Sequence, residues 1–224
     1  MDVKQQYNEV TQKYFDAEEL RIGPWISESM MRDPKHMAFV LSRYKFAAKM
    51  LEGRERVMEV GCGDGFGVPI TAQAVKEKLY AVDWEERLIK SNMERLKFLD
   101  RVEFIQNDMN SSAVDVKVSA IYNIDVIEHL DPDKEDDFMK NMIKSYERKE
   151  DAVMIIGTPN LTAAAYASPQ SAALHINLKD QKSLKELLDK YFYNVFLFGM
   201  NDEVVHTGYA PMCQYIWGIG AGLR

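Results

Sequence analysis

The feature that most limits what this chain can fold into is an apolar run that ends in three glycines at alternate positions. Residues 57–60 (VMEV) lead into residues 61–65 (GCGDG), and a helical pattern begins at Val68. Glycine lacks a Cβ atom, so the backbone can turn tightly there and lie against a ligand. A strand, a glycine turn and a helix in this order predict a ligand-binding crossover of an α/β sheet.

Short apolar runs alternate with helical patterns along the rest of the chain. We predict strands at 56–60, 79–82, 102–105, 118–124 and 152–157, with helices at 68–78, 85–99 and 134–148 between them. Continuously apolar strands that alternate with helices are typical of a parallel sheet covered on both faces. Two further predicted strands, 193–198 and 212–219, have no helix between them and should pair antiparallel. The predicted fold is a seven-stranded, mostly parallel Rossmann-like α/β sheet with a C-terminal antiparallel hairpin.

Composition limits the partners and the compartment. The net charge of −7 weighs against a duplex nucleic-acid partner, although a local basic patch can coexist with it. Cys62 lies within the glycine turn, and with only two cysteines in the chain a disulfide framework is not expected. Neither an apolar leader nor an apolar run of membrane length is present. We expect a soluble, cytoplasmic protein with a small-molecule partner and no nucleic acid or membrane; a homodimer is allowed.

The turn has the pattern G-x-G-x-G rather than the dinucleotide pattern G-x-G-x-x-G. The third glycine of the latter would stand at 66 or 68, where the chain has Phe66 and Val68. A pyrophosphate binder keeps the following helix N-terminus free for anion contacts. The acidic Glu59 and Asp64 would repel a pyrophosphate but suit an ammonium group. The turn therefore favours an adenosyl ligand without phosphate.

Carboxylates follow the next two predicted strands. Asp83 closes the second strand, where it could accept hydrogen bonds from both ribose hydroxyls. Asp108 follows the third strand, placed to meet the exocyclic amino group of an adenine, and Met109 could pack on the ring. Ligands of open α/β sheets bind at the carboxyl ends of the strands, so these positions belong together. Tight packing alone would be the simpler explanation of the glycines.

The segments VMEVGCGDG, YAVDWEE, FIQNDM, IDVIEHLDP and MIIGTPN resemble successive motifs of class I S-adenosylmethionine-dependent methyltransferases. IDVIEHLDP is most similar to the branch that contains the ubiquinone-biosynthesis O-methyltransferases. The N-terminal segment WISESMMRDPKHMAFVLSRYKF and the tail from 175 are similar to bacterial enzymes that methylate sugars of surface or capsular polysaccharides. The resemblance implies that S-adenosylmethionine is bound by Glu59, Gly61, Gly63, Gly65, Asp83, Trp84, Asp108, Met109 and Asp125.

With this resemblance the chain divides into three parts of one domain, 1–224. Residues 1–52 are expected to form a helical lid, 53–160 the donor-binding core, and 161–224 the acceptor-side loop, helix and hairpin. A length of 224 residues is typical of one such domain.

Asp125, Glu128 and His129 would share one face if this stretch is helical. Two carboxylates and an imidazole could hold Mg²⁺ or Mn²⁺. Some quinone O-methyltransferases carry an E-x-x-E-H metal site here, and in this chain the first acid is Asp125. The alternative is that Asp125 organises the strand end near the methionine moiety while Glu128 and His129 stabilise the turn.

The acceptor side offers two candidate general bases, His175 and His206. A hydroxyl acceptor must lose its proton as the methyl group arrives, and histidine is the commonest base; either histidine could instead be a surface or capping residue. Arg43, Tyr44 and Trp25 are candidate substrate-binding residues, the alternatives being a solvated helix face and simple packing.

These observations predict a methyltransferase acting on an oxygen of a small or sugar-type acceptor, with a role in polysaccharide biosynthesis. One alternative is an N-methyltransferase on RNA or protein, which the acidic charge and the absence of an N/D-P-P-Y/F tetrapeptide disfavour. Another is a partner subunit that binds S-adenosylmethionine without catalysis. A nicotinamide dehydrogenase is disfavoured by the missing third glycine.

Overall fold

The computed structural model describes residues 2–224 as one sheet flanked by helices. Eight strands lie in the order β3-β2-β1-β4-β5-β8-β6-β7. Their bounds are β1 Arg56–Val60, β2 Lys78–Asp83, β3 Val102–Gln106, β4 Ala120–Ile124, β5 Val153–Pro159, β6 Phe192–Asn201, β7 Val204–His206 and β8 Tyr215–Leu223. The helices are α1 Val3–Phe15, α2 Pro24–Arg32, α3 His36–Leu51, α4 Val68–Ala74, α5 Glu86–Arg95, α6 Glu135–Ile143, α7 Pro169–Leu174 and α8 Gln181–Asp189.

The five strands β1 to β5 pair in parallel, and the C-terminal strands pair antiparallel, as predicted. Strand β8 inserts between β5 and β6, so the last strand of the chain lies inside the sheet. The predicted number of seven strands is wrong: residues 204–206 add an eighth at the edge. A two-residue turn joins β6 to β7, and Asp202 adopts a left-handed φ of 49° there.

The sheet separates two layers of core. Met58 and Ile121 pack on one face with residues of α6 and α8. Val57 and Tyr122, one position away on the same strands, pack on the other face with α3 and α4. This alternation arises because successive side chains of a strand point to opposite faces. Both faces being covered explains why the central strands are apolar throughout.

The N-terminal helices are held less firmly than the core. No residue of α1 is buried, and α2 buries only Ile26. Helix α3 is anchored by Tyr44, Ala47, Ala48 and Leu51 and packs on α4. Among residues 2–224, none of the helices combines the length and apolar character needed to cross a bilayer.

Candidate functional site

Glycines shape the turn after β1. Gly61, Gly63 and Gly65 have φ values of 81°, 53° and 72°, a region that side chains with a Cβ rarely adopt. A Cβ on Gly61 would lie 2.3 Å from Val126 Cγ2, so the segment after β4 presses directly on the turn. The sequence therefore needs glycine here for both conformation and space.

Asp83 and helix α5 hold this turn in place. The Asp83 carboxylate accepts hydrogen bonds from the backbone N–H of Gly63, at 2.8 Å, and of Glu85, at 2.9 Å. Asn92 Nδ2 donates to the Gly63 carbonyl at 2.8 Å, and Arg95 donates to the Asp64 carbonyl at 2.6 Å. Asp83 thus lies at the predicted strand end, where it organises the turn.

Helix α2 is attached to the same turn. The Asp64 carboxylate accepts a hydrogen bond from the backbone N–H of Ile26 at 2.9 Å, in the first turn of α2. Burial raises the pKa of Asp64. The Trp25 ring covers Gly63, since a Cβ there would lie 3.0 Å from the ring. Asp64 therefore connects the glycine turn to α2.

The remaining predicted donor residues differ in exposure. Trp84 is 67% exposed, so its ring is free to stack on a ligand. The Asp108 carboxylate accepts hydrogen bonds from Asn110 N and Ser111 Oγ in a local turn. Met109 is buried in the core.

Glu59 and Tyr44 lie beneath the turn. Neither residue lines the cavity between the N-terminal helices and residues 159–178. Glu59 is 1% exposed and accepts a hydrogen bond from the Tyr122 hydroxyl at 2.6 Å. Burial raises the pKa of Glu59 to about 8. Tyr44 packs its ring against Gly67, where a Cβ would lie 2.0 Å from the ring.

A cavity of 1140 Å³ opens beside the turn, between the N-terminal helices and residues 159–178. It brings together most of the predicted acceptor-side residues, which come from distant parts of the chain. Those lining it are Trp25, Arg43, Asp125, Glu128, His129 and His175.

Arg43 and Asp125 form an ion pair in this cavity. Arg43 Nη1 lies 2.6 Å from Asp125 Oδ2, and the guanidinium also lies over the Tyr215 ring, 4.1 Å from its centroid. Asp125 has a left-handed φ of 57°, so the helical stretch expected at 125–129 does not form. Only Ile127–His129 makes a short 3-10 turn. Asp125 points to Arg43 instead of sharing a helix face with Glu128 and His129.

A different set of side chains could hold a metal ion. One ligand atom each from Glu128, His129 and His175 lie within 4.8 Å of one another. His129 Nδ1 lies 3.1 Å from the Leu174 carbonyl, which can only accept, so Nδ1 is the donor and the neutral imidazole has its lone pair on Nε2. Burial, followed by the neighbouring His129, lowers the pKa of His175. Both imidazoles are thus suited to donate a lone pair.

Glu128 completes this set from inside the protein. It is fully buried, its Oε2 accepts from Thr158 Oγ1 at 2.9 Å, and its Oε1 has no partner. Burial, together with the neighbouring Asp125, raises the pKa of Glu128. An unpaired buried carboxylate oxygen costs about 1–3 kcal/mol, which a bound cation would offset.

His206 is not brought to the cavity. It lies on β7, its Nε2 is 2.9 Å from Asn201 Oδ1, and its Nδ1 accepts from Gly208 N at 2.9 Å. Both ring nitrogens therefore stabilise the edge hairpin.

Tyr215 is a cavity residue that the sequence did not single out. It is 2% exposed, lies on the first position of β8, and its hydroxyl has no hydrogen-bond partner. No motif marks it, because an aromatic residue at strand spacing is ordinary core composition; only its pairing opposite Pro159 brings it to the carboxyl edge of β5.

Comparisons with known proteins agree with the fold. Residues 57–148 match a family described as a methyltransferase domain. No curated protein matches the sequence. Solved structures share the fold, at identities too low to carry more than the fold.

The methyltransferase domain of a bacterial protein, CtHen1-C, has 18% identity and a TM-score of 0.67 over 82% of this chain and 98% of that one. The N-methyltransferase NodS from Bradyrhizobium japonicum WM9, in complex with S-adenosyl-L-homocysteine, has 13% identity and a TM-score of 0.58 over 80% of this chain and 85% of that one. A SAM-dependent methyltransferase from Archaeoglobus fulgidus has 17% identity and a TM-score of 0.63 over 88% of this chain and 98% of that one. The match of residues 57–148 to a methyltransferase domain confirms the S-adenosylmethionine-dependent methyltransferase predicted from the sequence.

Proposed function

We propose that this chain transfers the methyl group of S-adenosylmethionine to a hydroxyl oxygen of a small, sugar-type acceptor bound in the 1140 Å³ cavity. A precursor of a bacterial surface polysaccharide is the acceptor that the sequence resemblance suggests. The observation that carries the choice of oxygen is the cluster of Glu128, His129 and His175 on the cavity wall.

The donor is proposed to lie along the carboxyl ends of β1, β2 and β3. Asp83 would accept hydrogen bonds from the ribose, and the exposed Trp84 ring would stack on the adenine. Positive φ at the three glycines supports close approach of a ligand to the backbone. This arrangement would direct the sulfonium towards Asp125 and the cavity.

Glu128, His129 and His175 have the donor set of a divalent-cation site. One carboxylate and two imidazoles fit Mn²⁺ better than Mg²⁺, because Mg²⁺ prefers oxygen ligands and retains water. When bound, such an ion acts as a Lewis acid that lowers the pKa of a coordinated hydroxyl. Without an ion, the neutral His175 is suited to accept the proton of the acceptor hydroxyl as a general base.

The transfer itself is an in-line displacement. The acceptor oxygen forms a bond to the methyl carbon as the carbon–sulfur bond breaks, and the sulfonium becomes a neutral thioether. The acceptor proton leaves to the base or to water. Because the donor is already activated, the protein's main contribution is alignment, which corresponds to about 7–11 kcal/mol in well-oriented systems.

The test is methyl transfer by the full chain from labelled S-adenosylmethionine to a panel of sugars, nucleotide sugars, amines, RNA and a protein lysate. We expect label on a sugar hydroxyl, loss of turnover with EDTA, and recovery on addition of Mn²⁺. His129→Gln should lose the response to metal, and His206→Gln should keep it.

Two outcomes would contradict the proposal, and a third would remove only the metal from it. Label on RNA, protein or an amine would support the N-methyltransferase. Binding of S-adenosylhomocysteine without turnover on any member of the panel would support a non-catalytic subunit. Turnover that EDTA leaves unchanged would remove the metal and leave His175 as the base.

A further inference from the structure

Acidic side chains outnumber guanidinium groups on the cavity wall. Five carboxylates and two guanidinium groups line it, and the residues are Glu28, Asp33, Asp125, Glu128 and Asp202 with Arg32 and Arg43. Arg32 lies 2.6 Å from Glu28, and Arg43 lies 2.6 Å from Asp125. Within residues 2–224, both guanidinium groups of this wall are therefore already paired.

Three of the five carboxylates are left without a guanidinium partner, since two are paired. Asp33 has Lys35 at 3.9 Å, but that lysine side chain is 88% exposed. Burial, followed by the neighbouring Arg43, lowers the pKa of His36, so this imidazole adds no compensating positive charge at neutral pH. With or without a divalent ion at Glu128, Asp33 and Asp202 remain without a guanidinium partner, so their part of the cavity wall stays negative.

The floor of the cavity has unpaired polar atoms of both kinds. Arg43 Nε and the Tyr215 hydroxyl can donate, and Asp125 Oδ1 and Glu128 Oε1 can accept; none of the four has a partner among the described residues. A hydroxyl group donates and accepts at once, so neighbouring hydroxyls could satisfy both kinds. A phosphate or carboxylate only accepts, and it would leave the acidic oxygens unpaired beside another anion.

We infer that the cavity selects an uncharged, hydroxyl-rich acceptor and rejects one with a phosphate or carboxylate beside the reacting hydroxyl. This inference rests on the proposed function and names its acceptor class. Glu28 and Asp33 are the specificity-determining acids at the N-terminal wall, because Glu28 pairs with Arg32 and Asp33 keeps that wall negative.

The experiment measures binding of three matched probes to the full chain saturated with S-adenosylhomocysteine. The probes are methyl α-glucoside, glucosamine and glucose 6-phosphate, and dissociation constants are measured by ligand-observed NMR at low salt. We expect glucose 6-phosphate to bind about tenfold or more weakly than methyl α-glucoside, with the difference narrowing as salt screens the field. Glucosamine should bind at least as well as methyl α-glucoside.

The double variant Glu28→Gln/Asp33→Asn tests the origin of the selectivity. It should improve binding of glucose 6-phosphate several-fold and leave methyl α-glucoside within about twofold. The matched control Glu9→Gln/Asp16→Asn changes the net charge equally on and just after α1, where neither residue lines the cavity. This control should leave the ratio of the two dissociation constants unchanged.

Each other result overturns the inference. The inference is wrong if glucose 6-phosphate binds as tightly as methyl α-glucoside or more tightly, if the control variant has an equal effect, or if none of the probes binds. A separate titration with S-adenosylhomocysteine distinguishes this failure from that of the proposed function: donor binding without sugar binding removes only the acceptor class, and absence of donor binding removes the methyltransferase reaction.

Discussion

Arg43 Nη1 lies 2.6 Å from Asp125 Oδ2 and joins helix α3 to the segment that follows strand β4. The Arg43 side chain is 13% exposed and the Asp125 side chain 31%. The pair thus connects α3 to the end of β4, beside which the cavity opens.

Arg43→Gln should destabilise the protein, because it leaves the Asp125 carboxylate without its partner. Removing one member of a fully buried pair costs about 3–5 kcal/mol, and the partial exposure of Asp125 reduces the expected loss to about 1–3 kcal/mol. Urea denaturation measures this change. Arg32→Gln, which breaks the solvent-exposed pair with Glu28, should change stability by less than about 0.5 kcal/mol. Similar losses in both variants would contradict the importance of the pair.

Asp83→Ala should weaken binding of S-adenosylhomocysteine about tenfold or more, since each charge-assisted hydrogen bond contributes about 1.5–3 kcal/mol. It also removes the acceptor for Gly63 N, so the unliganded protein should lose stability as well. Calorimetric titration and thermal denaturation without ligand separate the two effects. Glu86→Gln, exposed on the neighbouring helix, is the matched control. Unchanged affinity in Asp83→Ala would remove its proposed role.

His175→Gln should lower the affinity for Mn²⁺ at least about tenfold, if His175 is a ligand of the ion. If His175 acts only as a base, the substitution should instead lower kcat by about 10²–10⁴-fold and leave the metal affinity unchanged. Manganese titration followed by electron paramagnetic resonance, together with kcat at saturating metal, distinguishes the two. His206→Gln should change neither quantity, because both of its ring nitrogens bond within the β6–β7 hairpin.

Glu59→Gln should alter how stability depends on pH. The folded-state pKa of Glu59 is raised to about 8, above its value in the unfolded chain, so the folded protein holds the proton more tightly. The stability from this protonation is complete below the unfolded pKa and is lost as pH rises through about 8. Glutamine cannot ionise, so the variant should lose less thermal stability than wild type between pH 5 and about 9. If the melting temperatures of both proteins change equally with pH across this range, Glu59 is not protonated in the folded state.

Gly67→Ala should destabilise the protein by about 1–3 kcal/mol through overpacking against Tyr44. Gly67 has an ordinary φ of −83°, so the cost would come from the ring contact and not from the backbone. Gly53→Ala is the complementary variant. Gly53 has a φ of 84°, and a Cβ added there would lie 3.8 Å from the nearest atom, Lys76 Cε. The double variant Gly67→Ala/Tyr44→Leu should recover part of the loss, and no recovery would exclude the contact as the cause.

The sheet was predictable where burial on both faces dictates an apolar strand. Strand β1 occupies the predicted residues 56–60, and the other parallel strands differ by a few residues at their ends. Strand β7 was missed because three residues at an edge, none of them buried, carry no such pattern. Its formation depends on the turn at Asp202, whose left-handed φ an aspartate adopts only in a suitable tertiary context.

The candidate site was predictable only in part. The residues at strand ends lie where the alternation of strands and helices predicted them. The helical stretch considered at 125–129 does not form, because Asp125 has a left-handed backbone and pairs with Arg43, which a local spacing rule does not anticipate. The approach of His175 to His129 depends on the path of residues 160–175, and periodicity says nothing about such a loop.

The Trp25 ring lies over Gly63 and also lines the neighbouring cavity. A ligand that moves the glycine turn must therefore also move Trp25, and with it one wall of the cavity. Occupancy of the glycine turn and of the cavity should be thermodynamically linked, each ligand changing the affinity of the other by the same factor.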